Sequence, residues 1–213
     1  LKTFIAKKRE SGVYLSVLGF GRGNLDDATM QALAQNGNGT ASYIDTLNEA
    51  RKVLVDQLTG ALYPIADNVK IQVEWNPAQV AEYRLIGYEN RAVADSEFRN
   101  DTVDAGEVGA GHTVTALYAV RMRPGAQGRL ATLQLRWQDP DTGEVREANG
   151  NVNTYDVAGS FDQTSARYQL AVSVAHYAEL LRQSPYVDPW SWSELSRRVA
   201  QIALYDDPDA YEF

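Results

Sequence analysis

Asp95, Glu97, Asp101, Asp104 and Glu107 crowd one Gly-containing stretch, with His112 five residues beyond the last of them. Oxygen ligands closely spaced on a loop are what calcium takes. The alternating Asp/Asn-x-Asp run of a tight calcium loop is absent, so Asp101, Asp104 and Glu107 stand as calcium candidates beside a simpler reading, a solvated acidic loop. His112 and His176 fall on different elements without His-x-x-x-His spacing, which suits two hydrogen-bonded structural histidines better than a metal pair. A serine hydrolase would want a Gly-x-Ser-x-Gly elbow, and the sequence contains none. Gly19-Phe20-Gly21-Arg22-Gly23-Asn24 has the form of a phosphate cradle, but a lone Gly-rich turn between a strand and a helix has the same form. It follows a run read below as a parallel strand, whose carboxyl end is where such sheets bind ligands. Phe20, Arg22 and Asn24 are therefore the ligand-face candidates. Trp190 and Trp192, with Pro185, Tyr186 and Pro189, make an aromatic link that either faces a peptide or glycan or plugs two helices onto a sheet.

Composition narrows the field. A formal charge of −8 and the lack of a basic face argue against nucleic acid. Lys7-Lys8-Arg9 and Arg197-Arg198 sit on helical patterns, where they read as solvated faces. With no cysteine, disulfides, thiolate zinc sites and cysteine nucleophiles are excluded. No apolar run reaches the length of a membrane span. The two ends, LKTFIAKKRESG and DDPDAYEF, read as interrupted helices, so a fragment of a longer protein is expected.

These residues must be positioned by three successive patterns. Residues 1–63 read helix–strand–helix–strand–helix. Val13–Phe20 is an apolar run suited to a buried parallel strand. Asn24 is in place to cap the helix that follows, and Gly37 and Gly39 stop it. Thr40–Ile44 is a second strand, and Asp45 or Thr46 opens a long amphipathic helix. A right-handed crossover makes the two strands parallel neighbours. The central stretch runs from Asp67 to Arg123. Val69, Ile71, Val73 and Trp75 alternate with Lys70, Gln72 and Glu74, a strand with one buried and one wet face. Runs around Tyr83–Leu85 and Thr113–Met122 join it in an expected antiparallel sheet. Leu130–Trp137 adds a strand, Asp139-Pro140-Asp141-Thr142-Gly143 is a strong turn signal, and Glu144–Tyr155 returns near an edge. Ser160 and Gln163 have capping-box spacing at the head of a helix running to Gln183. Its stripe of Leu170, Val174, Tyr177 and Leu181 is expected to face the core. Ser191 and Glu194 repeat the capping spacing before a last helix.

GVYLSVLGFGRGNLDDATMQALAQNGNGTASYIDTLNEARKVLVDQL resembles the C-terminal part of a von Willebrand factor type A domain. AEYRLIGYENR, DAGEVGAGH, the SFDQTS helix and LLRQSPY resemble the domain fused behind it in bacterial YfbK-like proteins. The resemblance covers nearly the whole chain. Type A domains hold a divalent cation, magnesium or calcium, on an Asp-x-Ser-x-Ser motif that this sequence lacks, so no metal site is carried over to any residue here. The cation is expected only in a complete domain, with Phe20 and Arg22 flanking it. The resemblance implies an exported envelope protein, periplasmic or lipid-anchored, with protein partners among which a MoxR-type ATPase is a candidate.

The expected fold class is α+β in three parts: the tail of a doubly wound sheet at 1–63, an antiparallel β-sandwich at 64–157 and a helical cap at 158–213. The expected function is non-enzymatic protein binding and assembly. The alternative is a calcium-dependent or hydrolytic enzyme using the Asp101–His112 region. Because two strands cannot bury so much helix, an open edge at Val13–Leu18 is expected to drive self-association.

Overall fold

The structure, a computed structural model, describes residues 2–9, 11–21, 23, 25–58, 60, 63–87, 92–103, 105–187 and 192–202. It is mixed α/β, with antiparallel pairings, a parallel pair and a few helices. In chain order the first elements are α1 (Lys2–Arg9), β1 (Val17–Phe20), α2 (Asp27–Asn36), β2 (Ala41–Ile44) and α3 (Leu47–Arg51), which passes into a π-helical turn at Lys52–Asp56. There follow β3 (Pro64–Trp75), β4 (Val80–Ile86), β5 (Gly106–Gly109), β6 (Leu117–Met122), β7 (Arg129–Gln138), β8 (Val145–Asn153), α4 (Ala166–Leu181) and α5 (Trp192–Val199). The chain forms two compact units: Leu1–Glu74 with Glu89–Thr115 and Thr132–Gly150, and Trp75–Tyr88 with Ala116–Ala131 and Asn151–Phe213.

In the first unit β1 and β2 are parallel, with Val17 opposite Ala41 and Phe20 opposite Ile44. A parallel pair needs a crossover, and α2 supplies it. Asp26 caps α2 by accepting from the Thr29 amide at 3.0 Å. Asn24, proposed as the cap from sequence, lies outside the described residues. Thr46 caps α3, accepting from the Glu49 amide at 3.1 Å. Regular pairing starts at Val17 rather than Val13, because the chain before it is held by a Leu15 amide bond to the Gly37 carbonyl at 2.9 Å. Gly39 does more than end α2: a Cβ there would stand 2.0 Å from the Leu15 carbonyl oxygen.

The larger sheet has the order β5-β3-β7-β8. β3 and β5 are antiparallel, with a register shift between Ala66 and Val69. Asn68 sits inside that shift at φ +55°, a left-handed conformation that Asn tolerates well. The Asp139 carboxylate accepts from the Asp141 and Thr142 amides at 3.1 and 3.0 Å, which closes the β7–β8 turn as its sequence demands.

In the second unit β4 and β6 pair antiparallel with each other, Tyr83 opposite Val120. The expectation that β3, β4 and β6 share one sheet is corrected here. Asn76 bonds through its amide to the Leu130 carbonyl at 2.8 Å and through its side chain to the Arg129 carbonyl at 2.9 Å. That puts β7, not β4, beside the end of β3. Trp75 stacks on Tyr83 and meets Tyr118 edge-on, both at 5.4 Å. The capping box at Ser160 is also corrected. Phe161–Gln163 is a 3₁₀ turn, and α4 starts at Ala166 with Ser165 accepting from the Tyr168 amide at 3.3 Å. The face of α4 differs from expectation too: Ser173 and Glu179 are buried, while Val174, Tyr177 and Leu181 are exposed.

Candidate functional site

The alternation of β3 puts Asn68, Lys70 and Gln72 on one face, the face read from sequence as wet. The segment after residue 92 covers it instead. Lys70 is 4 % exposed, and its ammonium donates to the Asn100 carbonyl at 2.5 Å. Asn68 donates to the Asp101 carbonyl at 3.3 Å and accepts from the Ala105 amide at 3.1 Å. Gln72 donates to the Asp95 carboxylate at 3.1 Å, and Phe98 is buried. Each polar group under this roof therefore meets a partner, as burial requires.

Beside it lies a chain of charges. The Arg136 guanidinium, on β7, donates to the Asp101 carboxylate at 2.8 and 2.9 Å and to Glu147, on β8, at 2.6 Å. Glu147 also accepts from Arg99 at 3.3 Å. Hydrogen bonding to Asp101 first, then to Glu147, pushes Arg136 above its ordinary value. Arg99 and then Arg136 hold the Glu147 carboxyl below its own. Two cations and two anions thus neutralise one another. Next to them a cleft of about 290 Å³ is lined by Gln72, Asp95, Ser96, Phe98, Arg99 and Gln134. The lining offers amide, hydroxyl, carboxylate and guanidinium groups, and its one hydroxyl, Ser96, has no histidine in the lining to act as its base. Such a surface holds a polar group by hydrogen bonds.

Of the ligand-face candidates, Phe20 ends β1 and is 64 % exposed. Arg22 and Asn24 lie outside the described residues. Of the calcium candidates, Asp101 is engaged by Arg136, Asp104 lies outside the described residues, and Glu107 sits on β5 near Asp67 and Tyr14. The His112 amide donates to the Gly109 carbonyl at 3.0 Å, and its ring lies against Gly60. Among the described residues no three His, Asp or Glu side chains gather as a metal group. His176 lies in mid-α4 and Trp192 opens α5; Trp190 lies outside the described residues. Single-residue reading missed Asn68, Lys70, Arg99, Arg136 and Glu147. Their partners are distant in the chain, and only same-face spacing within each strand hinted at them.

A second polar cluster lies in the other unit. Glu179, buried on α4, meets Arg84 of β4 at 3.2 Å, Arg182 at 2.7 Å and the Ser184 hydroxyl at 2.7 Å. The Arg84 guanidinium lies 4.3 Å from the centre of the Tyr186 ring, a cation–π contact. AEYRLIGYENR and LLRQSPY, far apart in sequence, meet here.

These two motifs also lie in the part of the chain that matches known proteins. The family described as "Uncharacterized protein YfbK, C-terminal" matches residues 60–128 and 121–213. The uncharacterized protein YfbK of Escherichia coli (strain K12) is 36 % identical over 230 aligned residues, which take in 99 % of this chain and 39 % of the E. coli protein. The chain spans about two fifths of the length of that relative. It belongs to the YfbK family, and carries that family's C-terminal region from residue 60 onward.

Proposed function

We propose that this chain is a non-enzymatic binding and assembly part of a bacterial cell-envelope protein. The observation that carries the reading is the roofed face of the larger sheet. Its charges, Arg99, Arg136, Asp101 and Glu147, are spent on one another, and the cleft beside them presents hydrogen-bonding groups suited to a polar partner. In this reading residues 1–63 close a von Willebrand factor type A sheet, 64–157 form an antiparallel sandwich, and 158–213 cap it. The parallel β1–β2 pair with α2 between them supports the first of these assignments. The whole protein is periplasmic or lipid-anchored. It binds a protein partner, a MoxR-type ATPase among the candidates, and holds magnesium or calcium on type A residues outside this chain. Phe20, Arg22 and Asn24 border that ligand face.

The test is a pull-down from envelope extracts, with and without chelator, using the wild-type chain and an Arg99→Ala/Gln134→Ala variant. A protein retained by the wild type and lost from the variant is expected. No retained partner under either condition, or equal retention by the variant, overturns the assignment to the cleft.

A further inference from the structure

Residues 92–103 lie across the polar face of the larger sheet as a strap, and most of what fastens them is polar. Phe98 alone among them is buried, at 6 % exposure. The other ties run from Asp95 to Gln72, from Arg99 to Glu147, from the Asn100 carbonyl to Lys70, and from Asp101 to Arg136 and Asn68. Both ion pairs are partly open to water, with the Arg99 side chain 67 % and the Asp101 side chain 55 % exposed, so salt weakens them. The closed strap also holds Lys70 in an unfavourable place. Its ammonium is covered, and among the described residues it meets the Asn100 carbonyl and no carboxylate. A buried charge without a counter-charge favours any rearrangement that returns it to water. The strap meanwhile keeps its own shape. Its 3₁₀ turn at Asp95–Glu97 is followed by an Asn100 amide bond to the Glu97 carbonyl at 3.1 Å, and the Thr102 hydroxyl donates to the Asn100 side chain at 2.7 Å.

We infer that the strap is a salt-sensitive latch: residues 92–103 lift from the sheet as a unit while β3, β7 and β8 stay paired, and this motion makes and unmakes the cleft. The lining of the cleft divides between the two parts. Asp95, Ser96, Phe98 and Arg99 come from the strap, and Gln72 and Gln134 come from β3 and β7, so the cleft exists only with the strap closed. Lifting the strap withdraws Phe98, returns the Lys70 ammonium to water and releases Arg136 from Asp101. Phe98 resists the motion, because apolar burial is not screened by salt. The sheet survives it, because β3 and β7 are neighbours through their own backbones. A ligand that touches both parts of the lining binds the closed form alone, and so holds the latch shut. The latch itself does not depend on the binding role of the cleft.

Lysine acylation of the full chain, read by mass spectrometry, tests this. Lys70 is 4 % exposed and reacts only when uncovered, while Lys7, exposed on α1, serves as the internal reference. The ratio of Lys70 to Lys7 labelling should rise severalfold between low salt and about 1 M salt, where the screening length falls to roughly 3 Å. Hydrogen exchange of the Ile71–Trp75 amides should not change over the same range. Asp101→Asn, a mild change at an exposed carboxylate, should raise the ratio at low salt and shrink its response to added salt. Phe98→Ala, which removes the apolar anchor, should raise it at least about tenfold. If Phe98→Ala does not fold, the Asp101→Asn comparison decides alone. Lys70 labelling that is indifferent to salt and to Asp101→Asn, or that appears only together with loss of protection at Ile71–Trp75, overturns the inference.

Discussion

Gly109 has no room for a side chain: a Cβ there would lie 1.7 Å from the Gly60 carbonyl oxygen. Gly60 in turn is pressed by His112, whose Nε2 would stand 2.4 Å from a Cβ on Gly60. The Ala110 amide closes the same corner on the Tyr63 carbonyl at 2.8 Å. At the other end of β5 a Cβ on Gly106 would meet only the Val69 oxygen, at 4.0 Å. Gly109→Ala should therefore cost about 1–3 kcal/mol in urea unfolding, because backbone must move to admit the methyl. Gly106→Ala should stay within about 0.5 kcal/mol. Equal losses would mean that β5 is sensitive to any side chain rather than to this contact. Nearby, burial raises the Asp67 carboxyl above its ordinary 3.8, and its Oδ1 lies buried without a hydrogen-bond partner. Tyr14, although 36 % exposed, is raised as well, by its partial burial first and then by the charges of Asp67 and Glu107. A carboxyl raised in the folded state lends stability that is fully present below pH 3.8 and lost as pH rises through the folded value. Asp67→Asn should thus be more stable than wild type at neutral pH, with the gap closing as the solution is acidified. A gap independent of pH would reject this account.

At the scale of elements, the clamp of Arg84 on Glu179 decides how α4 sits on β4. Removing one partner of a buried ion pair strands the other, so Glu179→Ala should cost about 3–5 kcal/mol. Arg182, which is half-exposed, should cost under about 1 kcal/mol when replaced by Ala. Denaturant midpoints of the two variants check both, and a larger loss for Arg182→Ala would move the clamp from β4 to the helix end. The same clamp explains why α4 does not turn its apolar stripe to the core. Periodicity in the sequence marks the apolar stripe correctly, but a buried carboxylate rather than that stripe sets the rotation. Local chemistry was legible elsewhere: alternation marked β3, the Asp139–Gly143 signal marked the β7–β8 turn, and the crossover rule anticipated the parallel β1–β2 pair. What pairs across distance was not. Asn76 reaches Leu130, Lys70 reaches Asn100 and Asp101 reaches Arg136, each through one side chain or amide whose partner no local pattern indicates. The candidate cleft brings together residues far apart in the chain, which is why only Asp95, Glu97 and Asp101 in or beside it stood out from the sequence.

At the scale of the whole molecule, the parallel pair among the described residues is a two-stranded sheet with exposed apolar side chains. Among the described residues β1 pairs with β2 alone, so its other edge offers backbone groups to a further strand. Parallel sheets are ordinarily covered on both faces. Here Val13, Tyr14, Leu15 and Phe20 are exposed along β1 and the chain leading to it, and Leu47, Val55 and Leu58 are exposed along and after α3. Burying an aliphatic side chain of this kind is worth about 1.5–3 kcal/mol, so several left wet are a strong drive to acquire cover. We predict that the chain takes up a strand from a second copy along Val13–Leu18 as concentration rises. Hydrogen exchange read by mass spectrometry tests this. In dilute solution the Tyr14, Ser16 and Leu18 amides, which alternate with the Leu15 and Val17 amides already bonded to Gly37 and Thr40, should exchange faster than those of Val69–Trp75, which lie inside the four-stranded sheet. At high concentration they should become protected. Leu18→Pro, which removes an edge donor and cannot extend the ladder, should abolish the added protection. A monomeric chain whose Val13–Leu18 amides are protected as well as Val69–Trp75 at every concentration would show that this edge is already closed.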